Sequence, residues 1–170
     1  MDYMAPLKAF HAEHIEPYIG KAVGSFPEEV DALEKAIGFE FPLAYRQFLL
    51  WMGNDGMGIF RGSDNTLRWV INNTKNLPSF LQEMEQHSGV DLKLPKHYLS
   101  FFSHQGYSFT WFELPKTDDN PLVYWFNEIL IDDPEAYEPP REIAIQAGGR
   151  FTDYVFRQME GMSKYLGDKN

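Results

Sequence analysis

The stretch between residues 25 and 58 constrains the fold more than any other, because it has the pattern of two short helices joined by a tight turn. Ser25 and Glu28 match the Ser-x-x-Glu capping box, and Gly38 and Pro42 suit the end of one helix and the beginning of the next. Apolar residues recur at helical spacing in both halves: Val30, Leu33, Ile37 and Tyr45, Phe48, Leu49, Met52. So short a link predicts a hairpin in which each helix covers the apolar face of the other.

The composition favours a single folded domain. The chain has 170 residues, of which 44% are hydrophobic and 16% aromatic, enough for a substantial core. It has no cysteine, which excludes disulfides and thiolate chemistry, and no apolar run near the ~20 residues of a membrane span. With no signal-peptide pattern, a cytoplasmic location is expected. We expect an N-terminal extension with a short helix at 1–24, the domain at 25–165 and a tail at 166–170.

The rest of the chain predicts short strands followed by a closing helix. The expected elements are a strand at 67–71, a helix from Pro78 to His87, strands at 98–102, 107–112 and 122–126, short strands at 129–131 and 143–145, and a helix from Phe151. Successive short strands imply antiparallel pairing, since parallel pairs need long crossovers. The sequence therefore predicts an α+β fold.

The charge of the chain limits the classes of partner that it is expected to bind. The formal net charge is -10 and the sequence pI is about 4.9, so phosphate backbones are repelled and direct nucleic-acid binding is not expected. Accordingly, the aromatic face of Tyr107, Phe109 and Trp111 favours packing under a helix over base stacking. The segment from Glu113 to Glu142 contains nine acidic residues and only two basic ones. This region could dock a basic protein surface, or it could be a solvated loop edge, and the sequence leaves both readings open.

The sequence contains only weak patterns for a catalytic, nucleotide-binding or metal-binding site. His11 and His14 are three residues apart and could share a metal, but this is not His-Glu-x-x-His and no third ligand is identifiable nearby. The glycine-rich run 53–58 follows a helix, whereas a dinucleotide-binding loop follows a strand. No Gly-x-Ser-x-Gly elbow is present. We therefore predict no catalytic residue, no metal site and no cofactor.

The motifs of the opening stretch resemble those of the SUKH superfamily, which includes fungal cell-wall-assembly regulators and many bacterial proteins. Its first pattern, Glu-x-x-Leu-Glu-x-x-Leu-Gly, is matched by Val30, Leu33, Glu34, Ile37 and Gly38, and its second, Leu-Pro-x-x-Tyr-Arg-x-Phe-Leu, by Phe41, Pro42, Tyr45, Arg46, Phe48 and Leu49. Asn54-Asp55-Gly56 stands in place of Asn-Gly-Gly, and the run 119–124 resembles the family's Asn-Pro-x-Val-Tyr strand. The element Leu99 to Phe101 with Gly106 and the helix around 151–159 resemble later parts of the pattern.

The resemblance implies a curved antiparallel sheet packed against helices, and a non-catalytic protein that binds other proteins. Bacterial members are mostly immunity proteins of polymorphic toxin systems, often directed against nucleases. The expected partner is thus a cognate, basic toxin, with the chain a monomer or a weak homodimer. Acidic side chains would steer the encounter and two aromatic ones would anchor it. The predicted partner-binding residues are Asp118, Asp119, Trp125, Glu128, Asp132, Asp133, Glu135, Tyr137 and Glu138.

Two alternatives accompany this hypothesis. The same fold could serve as an intracellular scaffold or regulator, as the fungal relatives suggest. A metal-dependent hydrolase that uses His11, His14 or His104 is the third possibility.

Overall fold

An antiparallel sheet lies at the centre of the structure, with helices on both of its faces. The computed structural model describes residues 1–54, 59, 63–116, 118–128 and 144–168. The helices are α1 (Ala5–His14), α2 (Glu16–Ile19), α3 (Pro27–Ile37), α4 (Leu43–Met52), α5 (Val70–Ser88) and α6 (Phe151–Gly167), with a 3₁₀ turn at Leu67–Trp69. The strands are β1 (Ser63–Asp64), β2 (Tyr98–His104), β3 (Ser108–Glu113), β4 (Leu122–Asn127) and β5 (Gln146–Arg150). They pair in chain order, each antiparallel to the next. The predicted α+β class is confirmed.

The two faces of the sheet carry separate cores. On the face that we call the α5 face, Leu77 and Leu81 of α5 pack with Phe109, Trp111 and Phe126 of the sheet. The predicted packing of the β3 aromatic residues under a helix is therefore confirmed for Phe109 and Trp111. On the opposite face, the α6 face, helices α1, α3, α4 and α6 share one core with the sheet. Its centre is aromatic: Phe41, Tyr45, Phe48, Phe101, Phe112 and Phe151.

The predicted helical hairpin is confirmed as α3 and α4, but the predicted cap is displaced by one residue. Phe26 precedes the helix, and its backbone N–H donates to the carboxylate of Glu29 at 2.8 Å, where the sequence predicted Ser25 with Glu28. Ser25 is buried instead, because its backbone N–H donates to the Leu49 carbonyl at the end of α4. Gly38 ends α3 in the left-handed conformation, as predicted.

Helix α5 begins eight residues earlier than predicted, and the strand expected at 67–71 is wrong. Pro78 lies inside α5, where it has no N–H to donate to the carbonyl four residues before it. That carbonyl belongs to Thr74 and accepts the hydroxyl of Tyr98 on β2 at 3.2 Å. The sheet thus supplies the hydrogen bond that proline removes, and the helix continues through it.

The last strand of the sheet lies later in the sequence than predicted. The strand expected at 143–145 is wrong in position, because Ala144 and Ile145 precede β5, which begins at Gln146. The strand expected at 129–131 lies outside the described residues. The closing helix begins at Phe151, as predicted.

Candidate functional site

A groove lies on the α6 face where the ends of β2, β3 and β4 meet the middle of α6. A β-bulge in β2 creates it. Ser100 pairs with Trp111, and the next paired residue is Phe102, opposite Thr110. Since an extra residue reverses the alternation of side chains, Phe102 and His104 point to the α6 face rather than to the α5 face. They therefore lie on the same face of the sheet as Thr110 of β3 and Trp125 of β4.

The groove encloses about 360 Å³, and aromatic rings form most of its walls. We call it the aromatic groove; its lining residues are Phe102, His104, Tyr107, Ser108, Thr110, Trp125, Asn127, Tyr154 and Gln158. Phe102, His104 and Gln158 also border a second cleft of about 410 Å³, which extends along α6 toward Tyr165. None of these described lining residues is a lysine, arginine, aspartate or glutamate.

Hydrogen-bonded hydroxyl groups form the floor of the aromatic groove. The Tyr154 hydroxyl lies 3.1 Å from Thr110 Oγ1, and both residues are buried. Burial raises the pKa of Tyr154 to about 12, although the Thr110 hydrogen bond and Arg157 act in the opposite direction. Tyr154 therefore remains a neutral phenol at physiological pH and fixes α6 against β3.

Ser63 and His104 form a hydroxyl–imidazole pair at the edge of the groove. Ser63 Oγ lies 2.7 Å from His104 Nδ1, and the two residues are paired across β1 and β2. A nucleophilic triad would also need a carboxylate that orients the imidazole. Among the described residues, no carboxylate hydrogen-bonds to His104. Apart from Ser63, its imidazole contacts the ring of Tyr107. The pair is accounted for by strand pairing.

The histidines of α1 do not assemble a metal site within the described residues. His11 is buried against the ring of Trp51, with Nδ1 3.9 Å from the carboxylate of Glu16. His14 packs on Phe10 and lies near Glu13. In the part of the chain that the structure describes, no three potential ligands are grouped closely enough to hold a metal ion.

Two of the predicted partner-binding residues, Asp118 and Asp119, lie in a turn that the fold itself uses. The Asp118 carboxylate accepts the backbone N–H of Asn120 at 2.9 Å and pairs with Arg150 at 2.7 Å. The N–H of Asn120, and then Arg150, hold the pKa of Asp118 below its usual value. The Asp119 carbonyl accepts the N–H of Ala44 at 2.8 Å in the first turn of α4, and its carboxylate is 3.6 Å from Lys116.

The same turn caps α6. The side-chain oxygen of Asn120 accepts the Thr152 N–H at 3.1 Å, and its amide group donates to the Thr152 hydroxyl at 2.8 Å. The Pro121 carbonyl accepts the N–H of Phe151 at 2.8 Å. Free N–H groups at a helix start need such partners. The turn at 118–121 therefore fixes the beginnings of α4 and α6 together, a role that local sequence patterns did not reveal.

The remaining predicted residues divide between the groove and the undescribed part. Trp125 is half-buried and lines the aromatic groove. Glu128 follows β4 at the same end, and its backbone N–H donates to the Tyr107 carbonyl at 2.8 Å. Five predicted residues lie outside the described residues: Asp132, Asp133, Glu135, Tyr137 and Glu138. The structure thus separates Trp125, which lines the groove, from Asp118 and Asp119, which lie in the turn.

Comparison with protein families identifies the chain. Residues 26–144 match the sequence profile of the SMI1 / KNR4 family (SUKH-1). The chain belongs to this family. The match covers more than half of the chain and confirms the predicted SUKH resemblance. The family is generally non-catalytic, and its members fit immunity or regulatory roles. A comparison with curated proteins finds no match.

The SUKH motif at the start of the matched region acts in the hairpin. One oxygen of the Glu34 carboxylate accepts the Phe41 N–H at 2.7 Å, and the other accepts the Arg46 guanidinium, which also reaches Asp31. Tyr45 lies at the centre of the aromatic core. These residues hold α3 and α4 together, and none of them lines the aromatic groove. Among the described residues, no helix combines the length and the apolar character that a membrane span requires.

Proposed function

We propose that the protein is a cytoplasmic SUKH immunity protein, which binds a cognate toxin and blocks it without catalysis. Membership of the SUKH-1 family carries this proposal. The net charge of -10 supports it, because an acidic inhibitor associates rapidly with a basic partner such as a nuclease.

The aromatic groove is the proposed centre of the interface. Binding hot spots are enriched in tryptophan and tyrosine, and both Trp125 and Tyr107 line this groove. Glu128 stands at the same end, and the acidic residues from Asp132 to Glu138 follow it in the sequence. We propose that these carboxylates, together with Asp118 and Asp119 in the separate turn at 118–121, steer the toxin toward the groove. Because Asp118 and Asp119 already serve the fold, they contribute charge rather than anchoring contacts.

Co-expression with toxin domains encoded beside the gene tests the proposed function. We expect one such domain to arrest growth alone, to be neutralised by this protein, and to co-purify with it in a complex that weakens as salt rises. If no neighbouring product is toxic, or if none is neutralised, the immunity function is wrong. Several unrelated partners recovered at similar affinity would favour the scaffold or regulatory role.

A further inference from the structure

Three exposed apolar side chains lie close together where the chain enters the helical hairpin. Val23, Phe26 and Leu50 are 50%, 69% and 39% exposed, and we call them the hairpin patch. Val23 and Phe26 lie just before α3, and Leu50 lies near the end of α4. Single exposed apolar residues are normal on a protein surface, whereas several in one place with a polar rim mark an interaction site. None of the three lines the aromatic groove, so the patch is a separate surface.

Close backbone contacts hold the two parts of the hairpin patch side by side. The Ser25 N–H donates to the Leu49 carbonyl at 2.9 Å. Gly24, which follows Val23, lies so close to α4 that a Cβ there would be 1.9 Å from the Leu50 carbonyl oxygen, so only glycine fits. The patch residues on either side of this contact are thus placed next to Leu50 on fixed backbone. A preformed surface of this kind lowers the entropy cost of binding.

Phe26 occupies a position where a polar residue would serve the fold better. It is the N-cap of α3, where serine, threonine, aspartate or asparagine normally accepts one of the free N–H groups of the helix. A phenylalanine ring cannot accept that bond, and this ring is mostly exposed, so it gains little from packing. Residues that break a local rule without a gain in packing are expected at functional surfaces.

The charged residues described beside the patch are mainly acidic. Glu28 and Glu29 are exposed in the first turn of α3, and the Glu29 carboxylate accepts the Phe26 N–H at 2.8 Å. The ammonium group of Lys21, which precedes the patch, lies 3.9 Å from the carboxylate of Glu16. Carboxylates beside an apolar patch favour a partner whose own apolar surface is bordered by lysine or arginine. They oppose a second copy of the chain, because each copy carries a net charge of -10.

We infer that the hairpin patch is a second docking surface, which binds the apolar face of a basic amphipathic helix in a protein partner. Such a helix presents a stripe of apolar side chains bordered by charged ones. Its apolar stripe covers Val23, Phe26 and Leu50, while its basic side chains lie near Glu28 and Glu29. This surface is separate from the one proposed to hold the toxin, so the inference goes beyond the proposed function.

A peptide titration tests this inference on the full chain. The probe is a helical peptide of about 18 residues with leucine along one face and lysine elsewhere. One control peptide replaces lysine by glutamate, and a second has the composition of the probe with leucine distributed around the helix. NMR spectra follow the methyl signals of Val23 and Leu50 in about 0.15 M salt. The methyl signals of Leu122 are the internal control, because this residue of β4 is similarly exposed, at 46%.

We expect the Val23 and Leu50 signals to shift saturably with the lysine peptide, with a dissociation constant below about 1 mM. Both control peptides should bind at least about tenfold more weakly, since one lacks the charge complementarity and the other lacks the apolar face. The Leu122 signals should not move.

Two variants separate a docking role from a structural one. Phe26→Ser should weaken binding of the lysine peptide at least about tenfold. Its midpoint of urea unfolding should equal or exceed that of the wild type, because serine is a favoured N-cap. Leu122→Ser is the matched control and should bind like the wild type. Glu28→Lys should weaken binding of the lysine peptide several-fold and strengthen binding of the glutamate peptide.

Several outcomes would overturn the inference. A lower unfolding midpoint for Phe26→Ser would show that the ring serves the fold. Undiminished binding by Phe26→Ser, equal binding of the three peptides, or equal shifts at Leu122 would show that the patch does not select its partner. Movement of the Val23 and Leu50 signals with protein concentration alone would indicate a second copy of the chain, and larger shifts with phosphatidylcholine vesicles would indicate a membrane surface.

Discussion

The two faces of the sheet differ in how completely each covers a tryptophan of the central strands. On the α5 face, Trp111 is 1% exposed and its neighbours Leu77, Leu81 and Phe126 are all apolar. On the α6 face, Trp125 on the adjacent strand is half-buried and lies among hydroxyl, amide and imidazole groups. The buried apolar packing around Trp111 stabilises the fold, whereas the partly open and mixed surroundings of Trp125 retain groups that can contact a partner. The difference supports our proposal that the interface lies on the α6 face.

Replacing each tryptophan by alanine should give the largest contrast. Trp111→Ala leaves a cavity in a closed core and should lower the free energy of unfolding by about 3–5 kcal/mol. Trp125→Ala removes a half-buried ring beside an existing groove and should cost about 1 kcal/mol. Urea denaturation of both variants measures the difference. Equal losses would mean that the two faces are packed alike.

The turn at 118–121 should behave as part of the scaffold of the α6 face. Asn120→Ala removes two hydrogen bonds to Thr152 at the start of α6, so the free energy of unfolding should fall by about 2 kcal/mol. Asn120→Asp is the matched control, since it keeps an oxygen that accepts the Thr152 N–H, and it should lose less. A loss below about 0.5 kcal/mol for Asn120→Ala would contradict the capping role.

Two buried tyrosines on the α6 face should respond in opposite directions when their hydroxyl groups are removed. The Tyr45 hydroxyl is buried in the aromatic core and has no hydrogen-bond partner among the described residues, so Tyr45→Phe should raise the free energy of unfolding by about 1 kcal/mol. The Tyr154 hydroxyl is bonded to Thr110, so Tyr154→Phe should lower it by about 1 kcal/mol. Thermal and urea unfolding measure both. The assignment fails if Tyr45→Phe is the more damaging change.

The smallest expected effect is a pH dependence at His11 in α1. Burial lowers the pKa of His11, and Glu16 partly opposes this shift. Because the unfolded chain then binds a proton more readily, the contribution of His11 is fully present above its unfolded pKa of about 6.5 and is lost as the pH falls toward the lower folded value. His11→Leu should therefore lose less stability than the wild type between pH 7.5 and 5.5. Parallel losses in the two proteins would exclude His11 as the cause.

The sequence could predict those parts of the fold that depend on local periodicity. The α3–α4 hairpin, the antiparallel strands and the closing helix follow from apolar spacing and from glycine and proline positions, and all three are observed. The start of α5 could not be predicted, because the group that compensates for Pro78 is the hydroxyl of Tyr98, twenty residues away.

The site was predicted only in part, for the same physical reason. Trp125 and Glu128 were proposed as partner-binding residues; Trp125 lines the groove, and Glu128 is joined to Tyr107 by a backbone hydrogen bond, while their role in binding stays a prediction. The bulge after Ser100, which turns Phe102 and His104 toward that groove, arises from the pairing of β2 with β3. The capping role of Asn120 depends on Thr152, 32 residues later in the chain. Pairings over such distances leave no mark in a local pattern.

The most direct test of the account is the affinity of the neutralised toxin domain for three forms of the protein. Isothermal titration calorimetry would compare the wild type, Trp125→Ala and Trp69→Ala, the last being a half-buried tryptophan outside the groove. The account predicts that Trp125→Ala weakens binding at least about tenfold while Trp69→Ala changes it less than about twofold. Undiminished binding by Trp125→Ala, in a protein that remains folded, would contradict it.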